Sequence, residues 1–139
     1  MGYRWYDAMS QSPAFAFGHG LSYSTFEFSD LRVIWDSRHA NYLVDFTVAN
    51  TGTVGGRETP QLYLGFPSHS GEPPWQLKGF TKVRLAAGTK TSVSFHISTR
   101  DRSTWDVGST AWVEAKGLFK VIVGSSSRDP KALHGQFSI

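Results

Sequence analysis

Alternation of apolar and polar residues predicts a series of short β-strands in this chain. Residues 91–97 show it most clearly, since apolar or β-branched side chains at the odd positions alternate with Ser92, Ser94 and His96. Period-two alternation places successive side chains on opposite faces of a sheet. Further strands, bounded by turns rich in Gly, Pro, Asn and Ser, are predicted at 26–28, 31–35, 42–49, 58–66, 77–85, 112–113, 118–123 and 134–139.

The spacing of these segments indicates an all-β fold. About seven short strands, turns every eight to twelve residues and no amphipathic helix are typical of an immunoglobulin-like antiparallel β-sandwich. Phe46, Phe95 and Val121 lie on the apolar faces of their strands, and we expect them at the centre of the core. Truncating a buried phenylalanine such as these to alanine costs about 3–5 kcal/mol.

The first 22 residues differ from the remainder, so we predict an aromatic-rich linker at 1–22 and the sandwich at 23–139. Neither helical nor strand periodicity persists in 3–17. Gly18 and Gly20 flank His19, which predicts a tight turn or a close backbone approach. Such a short segment cannot bury its own aromatic rings. It therefore either folds back on the sandwich or belongs to an interface with another domain.

Composition and charge exclude several classes of protein. The 139 residues are 40% hydrophobic and 18% charged, which is typical of a folded domain. The net charge is +3, but the basic residues are scattered, so we expect no nucleic-acid partner. The absence of cysteine excludes disulfides and thiolate metal sites. We expect no signal peptide in this chain and no membrane partner, since no apolar segment of the required length occurs.

We find no pattern of catalytic, metal-binding or cofactor-binding residues. Most of the eleven acidic residues fall on the polar sides of strands or in turns, where solvation explains them. The five histidines are dispersed without metal-ligand spacing. Ser125-Ser126-Ser127 lacks the flanking glycines and following helix of a nucleophile elbow. The sequence therefore predicts no catalytic residue, no metal site and no cofactor.

Aromatic residues outside the predicted core are the candidates for binding. Trp75 follows Pro73-Pro74 in the longest predicted loop, 67–76, where a rigid backbone could present its ring. The ring could stack on a ligand or contact a neighbouring domain, and we favour the domain contact. We interpret Asp101 and Arg102 as turn residues that satisfy local backbone groups, and Trp105 as a lid on one end of the sandwich.

Several ordered motifs together resemble the C-terminal region of glycoside hydrolase family 3 enzymes, chiefly secreted fungal β-glucosidases. The likeness covers essentially the whole chain. Its motifs are Gly2-Tyr3-Arg4-Trp5-Tyr6-Asp7, Phe17-Gly18-His19-Gly20-Leu21-Ser22-Tyr23-Ser24-Thr25-Phe26, Val48-Ala49-Asn50-Thr51-Gly52, Gln61-Leu62-Tyr63-Leu64, Leu77-Lys78-Gly79-Phe80, Arg100-Asp101, Trp105-Asp106 and Val123-Gly124-Ser125-Ser126-Ser127-Arg128-Asp129.

The resemblance implies a fibronectin type III-like sandwich attached behind two catalytic domains of a secreted β-glucosidase. The nucleophile and the acid/base of that family lie in the two domains that are absent here, so no catalytic residue is carried over. We expect an accessory domain that braces the catalytic domains. The predicted interface residues are Tyr3, Trp5, Tyr6, Phe15, Phe17, His19 and Tyr23.

An alternative is a binding module for plant-wall polymer, cellulose or lignin. Exposed rings would hold the polymer, and the residues predicted for this role are Tyr63, Phe66 and Trp75. A positively charged surface would also attract weakly acidic lignin.

Overall fold

The computed structural model describes residues 2–139, so Met1, the first residue of the predicted linker, lies outside it. One short helix precedes eleven strands. They are α1 (Tyr3–Ala8), β1 (Phe26–Asp36), β2 (Asn41–Asn50), β3 (Gly56–Glu58), β4 (Gln61–Gly65), β5 (Gln76–Phe80), β6 (Val83–Leu85), β7 (Lys90–Ile97), β8 (Ser103–Asp106), β9 (Ala111–Glu114), β10 (Leu118–Gly124) and β11 (Leu133–Ser138).

Two antiparallel sheets form the sandwich. One sheet has the strand order β1-β2-β7, and the other has the order β11-β10-β4-β5. Strands β3 and β6 form a separate two-stranded ladder, as do β8 and β9. The seven strands of the two larger sheets confirm the predicted antiparallel sandwich.

The core lies between the middle strands of these sheets. Val44, Phe46 and Val48 of β2 are buried, and so are Val121 and Val123 of β10. Burying such side chains contributes roughly 25 cal/mol per Å² of apolar surface. The predicted central positions of Phe46 and Val121 are confirmed. Phe95, by contrast, is only partly buried at the margin of this cluster.

Local structure departs from the sequence predictions in several segments, among them Ser103–Asp106, which forms β8 although no strand was predicted there. The segment predicted as one strand at 77–85 forms β5 and β6, which belong to different sheets. The segment 58–66 is divided at Pro60 into β3 and β4. Residues 26–36 form one strand, with an irregularity between Ser29 and Arg32 at which Asp30 has φ +58°. The six-residue helix α1 was not predicted, because it is too short to show a period.

A buried polar network fixes the chain just after the predicted linker. The Ser24 hydroxyl donates a hydrogen bond to Asn50 Oδ1 over 2.6 Å and approaches the Val54 carbonyl at 2.9 Å. The Asn50 amide nitrogen donates to the carbonyl oxygens of Val54 and Leu85. Buried polar groups need such partners because an unpaired one costs about 1–3 kcal/mol. The network therefore anchors the chain just before β1 begins.

Candidate functional site

The N-terminal segment lies on the outer face of the four-stranded sheet. The Leu77 backbone N–H donates a hydrogen bond of 2.7 Å to the Tyr3 hydroxyl. The Tyr3 ring meets Tyr63 edge-on at 5.8 Å between centroids and stacks on Phe17 at 5.1 Å. The segment therefore folds back on the sandwich, and the rings that it leaves exposed stay open to a contact with another domain.

Polar contacts with the turn after β10 hold the segment at a second place. The Arg128 guanidinium donates to Asp7 Oδ1 over 2.8 Å and to the Gln11 carbonyl oxygen over 2.7 Å. The Ser127 N–H donates to the Phe17 carbonyl oxygen over 2.8 Å. Asp7 Oδ2 is buried and has no partner among the described residues. These contacts fix both α1 and the chain that follows it.

The glycine-flanked turn is explained by one of its two glycines. Gly18 has φ +84°, and a Cβ atom there would collide with the Gln61 side chain. Gly20 has open space around it and no positive φ. The His19 ring is exposed and stacks on Phe15 at 5.2 Å between centroids. Only Gly18 therefore needs to be glycine for conformational reasons.

Most of the predicted interface residues are exposed on this docked segment. Tyr3 is partly buried, while Phe15 is 74% exposed and Tyr23 is fully exposed. Sequence reasoning missed two further exposed members, Met9 and Leu21. Together the exposed side chains are Trp5, Tyr6, Met9, Phe15, Phe17, His19, Leu21 and Tyr23. A segment that leaves so many apolar side chains exposed is typical of a protein–protein contact.

The expectation that Tyr63 is an exposed binding ring is wrong. Tyr63 is only 1% exposed, because Tyr3 of the N-terminal segment covers it. Its hydroxyl donates a hydrogen bond to Gln61 Oε1, and burial raises the pKa of the phenol. The second face of β4 thus belongs to the interior rather than to a ligand surface.

Phe66 and Trp75, by contrast, line one open groove. Both rings are partly buried, so Trp75 is less exposed than the loop position suggested. The groove has a volume of about 710 Å³, and its polar lining includes His69, Glu72 and Lys120. The structure therefore brings together two of the three residues predicted for polymer binding.

Comparison with known proteins identifies the family. The family described as "Fibronectin type III-like domain" matches residues 58–127. The chain belongs to this family. Probable β-glucosidase D of Aspergillus niger is 43% identical over 155 aligned positions, which cover 99% of this chain and 20% of that protein. The relatives are thus similar to this fibronectin type III-like domain along nearly its whole length.

Solved structures give the same result. The β-D-glucoside glucohydrolase from Trichoderma reesei superposes with a TM-score of 0.90 and 35% identity, over 98% of this domain and 22% of that chain. The GH3 β-glucosidase of Bifidobacterium adolescentis gives 0.93 and 33%, over 100% of the domain and 20% of that chain. The fibronectin type III-like domain therefore spans about a fifth of these enzymes. It corresponds to a non-catalytic part of them, as the resemblance implied.

Trp105 of the fibronectin type III-like domain does not form a lid on the sandwich. It lies opposite Trp112 in the β8–β9 hairpin, with the two rings 5.6 Å apart, and both remain about half exposed. The Arg100 guanidinium lies 3.2 Å from the centroid of the Trp112 ring. The pair therefore supports the hairpin itself and does not seal the core.

The described residues offer neither a metal site nor a membrane span. Between residues 2 and 139, no group of three or more His, Cys, Asp or Glu side chains is placed to hold a metal ion. No helix in this part of the domain is long and apolar enough to cross a bilayer.

Glu58 lies between the linker and the turn at Ser125, and its environment predicts a pH effect. Burial raises the pKa of Glu58 against the opposing hydrogen bond from the Thr59 N–H, and Asp129 raises it further. A raised pKa in the folded state means that stability is lost as pH rises through that pKa. We therefore expect Glu58→Gln to stabilise the domain at pH 7, with the gain disappearing below the ordinary glutamate pKa of 4.5. Urea unfolding at pH 7 and pH 4 measures both effects.

Asp106 provides a control with the opposite sign. Hydrogen bonds from the Ser109 hydroxyl and N–H lower the pKa of this exposed carboxyl group. Its contribution to stability is therefore present at neutral pH and is lost as pH falls through the lowered pKa. Asp106→Asn should lower the stability of the domain at pH 7 and have no effect on stability in acid. The same pH dependence for both variants would contradict the assignment for Glu58.

Proposed function

We propose that this fibronectin type III-like domain braces the catalytic domains of a β-glucosidase of glycoside hydrolase family 3. The exposed apolar side chains of the N-terminal segment support the proposal more than any other observation. That segment is attached to the sandwich through Tyr3, Asp7 and Phe17, yet it leaves most of its apolar side chains in water. A partner surface would remove this apolar area from water, which stabilises the contact.

The arrangement of the segment suits a rigid contact. The Asp7–Arg128 ion pair and the Tyr3–Leu77 hydrogen bond hold the N-terminal segment in place before any partner binds. A preformed surface loses less conformational entropy on association than a mobile one. The parent enzyme would hydrolyse terminal β-D-glucosyl residues, and its secretion from the cell is part of the same proposal.

Mixing this domain with the complementary catalytic fragment tests the bracing role. We expect co-elution and a higher melting temperature of the catalytic fragment. Phe15→Ser combined with Tyr23→Ser should weaken the association about tenfold or more, since central aromatic contacts dominate interfaces. Phe80→Ser is the matched control, because Phe80 is 68% exposed on β5 outside the segment. No co-elution, or equal weakening by the control, would contradict the proposal.

Attachment to plant-wall polymer, cellulose or lignin, is a second candidate function. One observation favours it: Phe66 and Trp75 line one open groove beside polar side chains. Tyr63 has no part in this function because it is buried.

Depletion of the domain from solution by insoluble cellulose, xylan or lignin tests polymer attachment. Trp75→Ala should reduce adsorption several-fold, while Trp105→Ala, at a half-exposed ring elsewhere, should not. Equal adsorption by the wild-type domain and the Trp75→Ala variant would remove the groove from this function.

A further inference from the structure

Trp75 lies where two open grooves adjoin. The larger groove, of about 710 Å³, extends from it toward Phe66, His69 and Glu72. The smaller groove, of about 340 Å³, extends from it toward Gln136 in β11. Trp75 and Lys120 line both grooves, so a ligand could continue from one into the other past the indole ring. Each volume lies within the range of roughly 300–1,000 Å³ that is usual for ligand sites.

The position of the Trp75 ring is determined by the strand beside it. A Cβ atom at Gly65 would lie 2.8 Å from Trp75 Cζ3 and 3.1 Å from the Pro74 carbonyl oxygen. The absence of a side chain at Gly65 therefore lets the indole pack directly against β4. Pro73 and Pro74 restrict the preceding backbone further. A ring held in this way loses little freedom when a ligand stacks on it.

Polar side chains of both hydrogen-bonding types surround the ring. The Glu72 carboxylate accepts a hydrogen bond of 2.6 Å from the Gln76 amide, and Gln76 is itself buried, so the carboxylate is oriented. The Lys120 ammonium group lines both grooves and can donate, and the Gln136 amide in the smaller groove can both donate and accept. The lining thus combines one aromatic surface with donors and acceptors in both grooves.

We propose that the two adjoining grooves bind an extended, uncharged β-linked oligosaccharide, with one pyranose ring against the Trp75 indole. A pyranose has an apolar C–H face for the indole and a rim of hydroxyl groups for Glu72, Lys120 and Gln136. The opposite charges of Glu72 and Lys120 favour a neutral ligand over a charged one. The two-sided lining favours an extended chain over a helically coiled one. This inference rests on the second candidate function and names the ligand of that site.

Calorimetric titration of the 139-residue domain with cellotetraose tests the inference, with maltotetraose as a control of equal composition but curved shape. We expect saturable binding of cellotetraose only. Trp75→Ala should weaken it at least tenfold, which corresponds to about 1.4 kcal/mol. Trp75→Phe, which keeps an aromatic surface, should weaken it less. Trp105→Ala is the matched tryptophan control and should leave the affinity within twofold of wild type.

Lys120→Ala keeps the inference testable if Trp75 variants fold poorly, because Lys120 is exposed on β10. It should weaken cellotetraose binding several-fold while leaving the melting temperature unchanged. No saturable binding at millimolar cellotetraose, equal binding of maltotetraose, or unchanged affinity in both the Trp75→Ala and Lys120→Ala variants would overturn the inference. Adsorption to insoluble polymer without cellotetraose binding would overturn it and leave the second candidate function standing. Absence of both polymer adsorption and cellotetraose binding would overturn the inference and the second candidate function.

Discussion

Replacing Arg102 by alanine is expected to lower the free energy of unfolding by about 3 kcal/mol. Arg102 is only 2% exposed, and its guanidinium donates two hydrogen bonds to Glu114 Oε1, at 3.0 and 2.7 Å. It also donates to the Ile97 carbonyl oxygen over 2.8 Å. Removing it leaves these acceptors without their partner and opens a space beside Trp35 and Tyr42, whose rings lie within 6 Å of the guanidinium.

The remaining partners of Glu114 limit this effect. The Lys116 ammonium group donates to Glu114 Oε2 over 2.9 Å, and together with Arg102 it lowers the pKa of the carboxyl group. Glu114 is also partly open to water. The expected loss therefore stays at the lower end of the range for a broken buried pair, about 3–5 kcal/mol.

Urea unfolding measures the loss, and thermal unfolding should show a fall in melting temperature of about 10 °C. Arg102→Lys should recover only part of the stability, because an ammonium group cannot reproduce the planar fork of donors. In the double variant with Glu114→Ala, the two losses should not add, since both residues belong to one network. A loss below about 1 kcal/mol for Arg102→Ala would contradict this account.

Arg102 also illustrates what the sequence could not reveal. We interpreted Asp101 and Arg102 as turn residues, and this holds for Asp101, whose carboxylate accepts from the Ser98 N–H and hydroxyl. It holds in part for Arg102, which donates to the nearby Ile97 carbonyl oxygen, but the buried side chain also pairs with Glu114, twelve residues later in the β8–β9 hairpin. The sequence around Arg102 contains no pattern that predicts its pairing with Glu114.

The strands were predictable wherever their pattern was local. Residues 42–49 and 91–97 alternate clearly, and they form the adjacent strands β2 and β7. The alternation in β4 also predicted its inner face correctly. Its outer face is buried by Tyr3, sixty residues earlier in the chain, so Tyr63 could not be recognised as an interior residue.

The candidate site was likewise predictable only in part from the sequence. The surplus of aromatic residues in 3–23 indicated an interface surface, because so short a segment cannot bury them. The groove that Phe66 and Trp75 share is also lined by Gly117 and Lys120, which lie just before and within β10, far along the chain from both rings. Sequence pattern could suggest Trp75 alone, but not the grooves beside it.

Replacing Phe46 by alanine is expected to cost about 4 kcal/mol, within the usual range for a buried phenylalanine. Phe46 lies in the middle strand of its sheet and is 2% exposed. Its ring contacts Phe28 at 6.1 Å and Phe95 at 5.7 Å between centroids. Truncation removes apolar contacts and leaves a cavity that the two neighbouring rings, anchored on β1 and β7, cannot easily close.

Phe95→Ala is the matched control, because the same atoms are removed from a partly buried position in the edge strand β7. The Phe95 ring packs against Gly79, where a Cβ atom would lie 3.0 Å from it, so this neighbour contributes no side chain to the packing around the ring. We expect about half the loss of Phe46→Ala, measured by urea unfolding under the same conditions. Equal losses would mean that Phe95 contributes as much to the core as Phe46, which would contradict the central position of β2. Because domains of this kind are stable by only about 5–15 kcal/mol, Phe46→Ala alone should remove a large part of the stability on which the docked N-terminal segment depends.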